Sequence, residues 1–182
     1  MKKAIIVCAW LMDHEKTSQA EISRELNISL STVNRAVKKL EKMGAVEVLS
    51  RSLKIRDKEK ILMYMASLRN TEKDIVYRTR VNKKVREIER SMPGGVEFTA
   101  YTAYKFKYED VPADYSEVYV YADKQALDEI KKRFPEMKGP SNLFVFKKEI
   151  EVNDALIFAD LWNIKEWYAK EFTRKMHDRI LE

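Results

Sequence analysis

The sequence predicts an α+β fold: a basic N-terminal part of helices and a β-hairpin, followed by a small C-terminal α/β part. Three observations carry that expectation. Residues 1–92 hold 21 lysines and arginines against 12 acids, whereas residues 93–182 hold 14 against 17. The aromatic residues divide the other way, three before Pro93 and 16 after it. Apolar residues recur at helical spacing through most of the first half, and strand–helix–strand patterning follows the three punctuators Pro93-Gly94-Gly95. Two compositions in one chain of 182 residues argue for two domains, placed at 1–70 and 93–182 with a partly helical connecting segment over 71–92. The basic half is the candidate for a polyanionic partner.

The first element is a helix over Lys2–His14, with Ala4–Met12 as its apolar run. That run falls short of the roughly 18–20 residues of a membrane span and lacks the small-residue cleavage pattern of a signal peptide. A second helix covers Gln19–Leu26. Ser18 and Glu21 fit a capping box there, Ile22 and Leu26 give one apolar turn, and Ser23 is small where two helices would cross. Asn27-Ile28 makes a tight turn. The third helix, Leu30–Met43, has Val33, Ala36, Val37, Leu40 and Met43 as its apolar stripe. Its opposite face is short and polar at the start (Ser31, Thr32, Asn34) and cationic along the body (Arg35, Lys38, Lys39, Lys42). Ser29 occupies the N-cap position, and Gly44 the left-handed position that ends such a helix. Over Val46–Arg56, apolar Val46, Val48, Leu53 and Ile55 alternate around the polar tip Ser50-Arg51-Ser52, which reads as a hairpin.

Helix, tight turn, basic helix and hairpin in this order resemble the winged helix-turn-helix transcriptional regulators. The phrase Ser31-Thr32-Val33-Asn34-Arg35 through Gly44-Ala45-Val46 is close to the wording of that family. The resemblance implies double-stranded DNA as partner, with the third helix in the major groove and the hairpin as a wing. It makes Ser18, Gln19, Ser29, Ser31, Thr32, Asn34, Arg35, Lys38 and Lys39 candidate DNA-binding residues on the helices, and Arg51, Lys54 and Arg56 on the wing. Ser31, Thr32 and Asn34 lie on the turns that reach base edges, and Arg35 either reads guanine or binds phosphate. One winged helix covers few base pairs, so a homodimer or paired monomers on a repeated site are expected.

Past the wing, a helix begins near Asp57 and carries Ile61, Leu62, Met65 and Leu68 inward. Thr71 and Asp74 offer a second capping box. Ile75-Val76-Tyr77 has strand chemistry, and a helix is placed over about Asn82–Ser91, ended by Pro93. Val96–Tyr108 fits both strand alternation and a helical face. Ser116–Asp123 is a buried strand, Lys124–Phe134 a helix, and Asn142–Phe146 a strand, with another strand expected at Glu149–Val152. Two helices close the chain, Asp154–Asn163 and Glu166–Leu181.

Thr99–Tyr104, Val118–Tyr121, Asn142–Phe146 and Ala159–Trp162 with its closing helix resemble, in that order, the C-terminal domain of AbiEi-type regulators. These are antitoxin-repressors that also begin with a winged helix, and the C-terminal domain is related to a minimal nucleotidyltransferase fold. The resemblance makes Phe98–Phe106 helical. The family usually has a Thr-Gly before that helix, and Tyr101-Thr102-Ala103 departs from it by lacking the glycine.

Chemistry is sparse. There is no P-loop, no dinucleotide fingerprint, no nucleophile elbow and no Gly-Ser phosphate cradle. Asp123 and Asp160 are a possible magnesium pair, set against Asp123 as a helix cap and Asp160 as a member of a buried network. The single cysteine, Cys8, excludes an intramolecular disulfide and a cysteine-built zinc site. His14 and His177 are read as separate surface residues. No catalytic residue, metal or cofactor is assigned, and the location is expected to be cytoplasmic. The tyrosines, phenylalanines and tryptophans of the second half are read as core, or as the lining of an effector pocket or partner surface. The function that follows is a sequence-specific regulator, more often a repressor, with a C-terminal interaction or sensing domain. A DNA-tethered nucleotidyltransferase-like enzyme and a non-specific chromatin or replication protein are the competing readings.

Overall fold

The computed structural model describes residues 1–182 and divides into two compact units, Met1–Arg69 and Asn70–Ile180. The fold is mixed α+β, with a winged helix-turn-helix first and a helix-plus-sheet domain second.

In the first unit, α1 (Lys3–Met12), α2 (Gln19–Glu25), α3 (Leu30–Lys42) and α4 (Lys58–Leu68) surround a small sheet of β1 (Lys16–Thr17), β2 (Val46–Val48) and β3 (Leu53–Ile55). Local chemistry sets each boundary. The Ser18 hydroxyl accepts from the Glu21 amide at 3.1 Å, and the Glu21 carboxylate takes the Thr17 hydroxyl at 2.8 Å. The turn after α2 needs a left-handed residue, supplied by Asn27 at φ 49, and Ser23 donates across it to the Ile28 carbonyl at 2.6 Å. Ser29 caps α3 through the Thr32 amide, and Gly44 ends it at φ 71. Asp57 caps α4 through the Lys60 amide at 2.9 Å. Ile5, Leu11, Ile22, Val33, Val37, Leu40, Leu53, Ile61, Leu62 and Met65 are all essentially inaccessible, so the predicted α3 stripe is the face that packs. Met43 is the exception: it follows the helix and stays exposed.

The strand β1 is absent from the sequence reading. It pairs antiparallel with β3, setting Lys16 opposite Lys54, while β2 pairs with the other edge of β3, setting Glu47 opposite Lys54. The wing hairpin is therefore two strands of a three-stranded sheet, order β1-β3-β2, with β3 at its centre.

The second unit contains α5 (Thr71–Asp74), β4 (Ile75–Thr79), α6 (Val85–Arg90), β5 (Glu97–Thr99), α7 (Ala100–Tyr108), β6 (Val118–Ala122), α8 (Lys124–Arg133), β7 (Leu143–Lys147), α9 (Asp154–Trp162) and α10 (Ala169–Leu181). Its sheet runs β4-β7-β6-β5, with β6 and β7 parallel across the α8 crossover and both edges antiparallel. Alternation in the central strands separates two cores. Val118, Val120, Leu143 and Val145 join Ile88, Ala126, Ile130 and Phe134 on one side. Tyr119, Tyr121, Phe144 and Phe146 share the other, where Tyr119 stacks on Phe144 at 4.7 Å and α7 and α10 supply Tyr101 and Phe172.

Several expectations change. The segment expected to connect two domains, 71–92, instead furnishes β4, an edge of the second sheet, because Ile75–Thr79 finds a partner in β7. Pro93-Gly94-Gly95 consequently lies inside the second unit, between α6 and β5. The cap of α5 is Asn70, not Thr71, since the Asn70 side-chain Oδ1 accepts from the Lys73 amide at 3.1 Å. The ambiguous 96–108 stretch is both strand and helix, split between Thr99 and Ala100. Glu149–Val152 is not a strand; the Val152 amide donates to the Glu97 carboxylate instead of to a ladder.

Candidate nucleic-acid interface

The site is built on α3. Its buried stripe anchors one side, leaving Ser31, Arg35, Lys38, Lys39 and Lys42 exposed. None of Arg35, Lys38 and Lys39 enters an ion pair or a side-chain hydrogen bond, and the same holds for Arg51 and Lys54 of the wing. Uncompensated cations on a convex helix and an adjacent ribbon make an open positive surface, suited to phosphates at about 1.7 Å spacing of charge along a duplex.

The polar start of α3 is organised before any ligand arrives. Ser29 Oγ lies 3.2 Å from Ser31 Oγ and 2.9 Å from Thr32 Oγ1, so three hydroxyls share one network around the cap. Asn34 Nδ2 donates to Gln19 Oε1 at 3.0 Å. This bond ties the N-terminus of α2 to the outer face of α3 and leaves each amide with a free donor and acceptor capacity. Paired donor and acceptor atoms on a planar amide match the major-groove edge of adenine. Ser18 has a structural duty as the α2 cap, and Gln19 follows it directly.

The wing residues differ among themselves. Arg51 stands at the tip, where the Leu49 amide closes the turn on the Ser52 carbonyl at 2.8 Å. Arg56 is committed: its guanidinium forks onto the Glu47 carboxylate. That pairing removes the acid from Lys54, whose other neighbour across the sheet is Lys16. Two lysines facing each other on an exposed ladder repel, unless an anion lies between them. Lys16 is a residue that sequence reasoning missed, because a two-residue strand leaves no periodicity to find.

Elsewhere the candidates have other duties. Asp123 caps α8 by accepting from the Ala126 amide at 2.8 Å. Asp160 is wholly buried, and its Oδ2 accepts from Thr99 Oγ1 at 2.7 Å and from Tyr121 at 2.9 Å. The two acids are thus a cap and a network member. Nearby, Glu89 accepts from Thr102 at 3.0 Å and Tyr115 at 2.8 Å, and pairs with Lys105. Cys8 is buried in α1, and desolvation pushes its thiol up to about 12, so it stays protonated and unreactive at neutral pH. His14 is held rather than free: it stacks on Trp10 at 3.5 Å and its Nδ1 donates to the Trp10 carbonyl. Most of the aromatic residues pack as core, while Trp162 (53% exposed) and Trp167 (79%) stand out of it. No helix is long and apolar enough to cross a membrane.

A winged helix-turn-helix DNA-binding family matches residues 11–47, the span from the end of α1 through α2 and α3 into β2. Comparison of the chain with curated proteins finds no match, and comparison with solved structures finds none. The matched span coincides with the helices whose caps, turn and open cations are described above. It supports a DNA-binding transcriptional regulator whose first unit is the DNA-binding domain and whose partner is double-stranded DNA.

Proposed function

We propose that the protein is a sequence-specific repressor of the antitoxin-like kind, acting as two copies on DNA, with the first unit docking on the duplex and the second reserved for a protein partner or effector. The observation that carries the DNA half is the α3 face: Arg35, Lys38 and Lys39 are exposed without a carboxylate, beside the preset Gln19–Asn34 pair. In this reading Ser31, Asn34 and Gln19 address base edges. Lys38, Arg51 and Lys54 address phosphates, Arg56 braces the wing, and Ser18 and Ser29 hold the helix starts.

The test is equilibrium binding by the full chain to duplexes selected from genomic DNA, compared with random duplex, over a salt series. Specific affinity should exceed random affinity by about 10³-fold or more. Asn34→Ala should cost about 1–3 kcal/mol on the selected site and little on random DNA. Arg51→Ala should weaken both equally and flatten the salt slope by about 0.9. A wild-type ratio near one would instead establish the non-specific reading.

A further inference from the structure

On one flank of α3, Thr32, Arg35, Ala36 and Lys39 fall at i, i+3, i+4 and i+7 and line a cleft of about 290 Å³ with Lys3 and Ala4 of α1 and Tyr64 of α4. Three of these seven residues are cations, and none of the three has an ion-pair partner. No acid lines the cleft. Two hydroxyls, on Thr32 and Tyr64, add neutral donors, and small Ala36 leaves the floor open. α1 starts here without a side-chain cap on its first amides. Converging cations and hydroxyls in an acid-free concavity suit a tetrahedral oxyanion, for which charge-assisted hydrogen bonds are short and strong.

Resting on the DNA-binding reading above, we propose that this cleft seats a phosphate of the DNA backbone. It would form a second grip, separate from the wing, in which Lys3 and Tyr64 from outside the matched span 11–47 join the flank of α3. One feature favours the backbone over a free phosphorylated metabolite. The cleft is continuous with the exposed turn of α3, since Thr32 and Arg35 belong to both. Arg35 is thereby assigned to phosphate rather than to guanine, and base reading falls to the opposite flank at Asn34 and Gln19.

The experiment measures binding of the full chain to its selected duplex by fluorescence anisotropy across a salt series, for wild type, Lys3→Ala, Lys39→Ala and Tyr64→Phe. Each lysine variant should flatten the slope of log K against log salt by about 0.9, on selected and random duplex alike. The loss of affinity between about 50 and 200 mM salt then shrinks about 3.5-fold per variant. Tyr64→Phe should lose about two- to tenfold at constant slope. A duplex carrying one uncharged methylphosphonate, scanned along the backbone, should reveal a position that weakens wild type but costs Lys3→Ala nothing further. Thermal melting checks that each variant is folded; Lys3 is exposed, so its replacement leaves the core intact. If wild type binds the duplex and both lysine variants keep its slope, the cleft assignment is overturned while the DNA reading stands. If wild type binds no duplex, the DNA reading itself falls. Inorganic phosphate and adenosine monophosphate, titrated into the free protein, form the other arm. Saturable shifts at Lys3 and Tyr64 without any slope change would assign the cleft to a free phosphoryl ligand and overturn the backbone source.

Discussion

Lys16 and Lys54 stand directly opposite each other on the exposed face of the wing sheet, and the only carboxylate beside them is held by Arg56. If the pair exists to hold a phosphate, replacing Lys16 should move stability and DNA affinity in opposite directions. Cross-strand neighbours place their Cβ atoms about 5 Å apart, and two long side chains splay their ammonium groups to about 7 Å. In water that is about 0.6 kcal/mol of repulsion, within the 0.2–1 kcal/mol range measured for such pairs. Lys16→Gln should return that amount. Lys16→Glu should reverse its sign, a swing of about 1 kcal/mol. For a unit of this size 1 kcal/mol is about 4–8 °C in Tm. Calorimetry at low salt should therefore show a rise of about 2–5 °C for Lys16→Gln and a larger one for Lys16→Glu. Both gains should vanish near 1 M salt, where the Debye length falls to about 3 Å. Anisotropy on duplex DNA should show the reverse order, the salt slope falling by about 0.9 for Lys16→Gln and affinity falling further for Lys16→Glu. A lower melting point for Lys16→Glu at low salt, or an unchanged salt slope for Lys16→Gln, would refute the reasoning and leave the pair a neutral accident of the sheet.

Two other outcomes follow from polar groups in defined settings. The Asp57 carboxylate caps α4, and its hydrogen bond to the Lys60 amide holds its pKa below the ordinary carboxylate value. A depressed folded value means the stabilisation is complete above the unfolded pKa and is lost as pH falls through the folded one. Asp57→Ala should cost about 1 kcal/mol at pH 7 and less as the carboxylate protonates at low pH, while Asp57→Asn should keep most of the cap throughout, read by urea melts. The Tyr101 hydroxyl is buried without a hydrogen-bond partner, and desolvation raises its pKa. Tyr101→Phe should stabilise the second unit by about 1 kcal/mol in thermal denaturation, and a loss of stability would show that the hydroxyl is satisfied.

What could be read from the sequence divides by range. The first unit was legible because its signals are local: Ser18, Ser29 and Asp57 announce helix starts within three residues, and Gly44 announces a stop. The α3 stripe needed only its own period. The same holds for Asp123 and α8. Where a partner decides, reading failed. β1 is two residues long and exists only because β3 lies beside it. Ile75-Val76-Tyr77 shows its strand chemistry locally, but only the pairing with β7 makes it an edge of the second sheet rather than part of a connecting segment. Glu149–Val152 has strand composition but no edge to pair with. The site follows the same rule: the outward face of α3 was visible, whereas Lys3, Lys16 and Tyr64 come to it from other elements.

The split of residues 96–108 shows how a single dihedral settles an ambiguous run. Thr99 must keep its side chain on Asp160 as the last residue of β5, while Tyr101 and Tyr104 must turn into the core from α7. The chain changes direction within one residue, and Ala100 does so at φ 51, fully buried. The left-handed conformation costs an alanine about 1–2 kcal/mol. Glycine would remove that cost, but it gives up a buried methyl worth about 0.8 kcal/mol and restores about 0.4–1 kcal/mol of chain entropy to the unfolded state. The terms nearly cancel, so Ala100→Gly should leave stability within about 1 kcal/mol of wild type. Ala100→Val faces the same dihedral with a branched Cβ and no room, and strain and overpacking together should cost about 2–5 kcal/mol. The contrast is the measurement, by chemical denaturation of both variants. If valine were tolerated as well as glycine, the turn would not be left-handed, and the strand would have to reach the helix by another route.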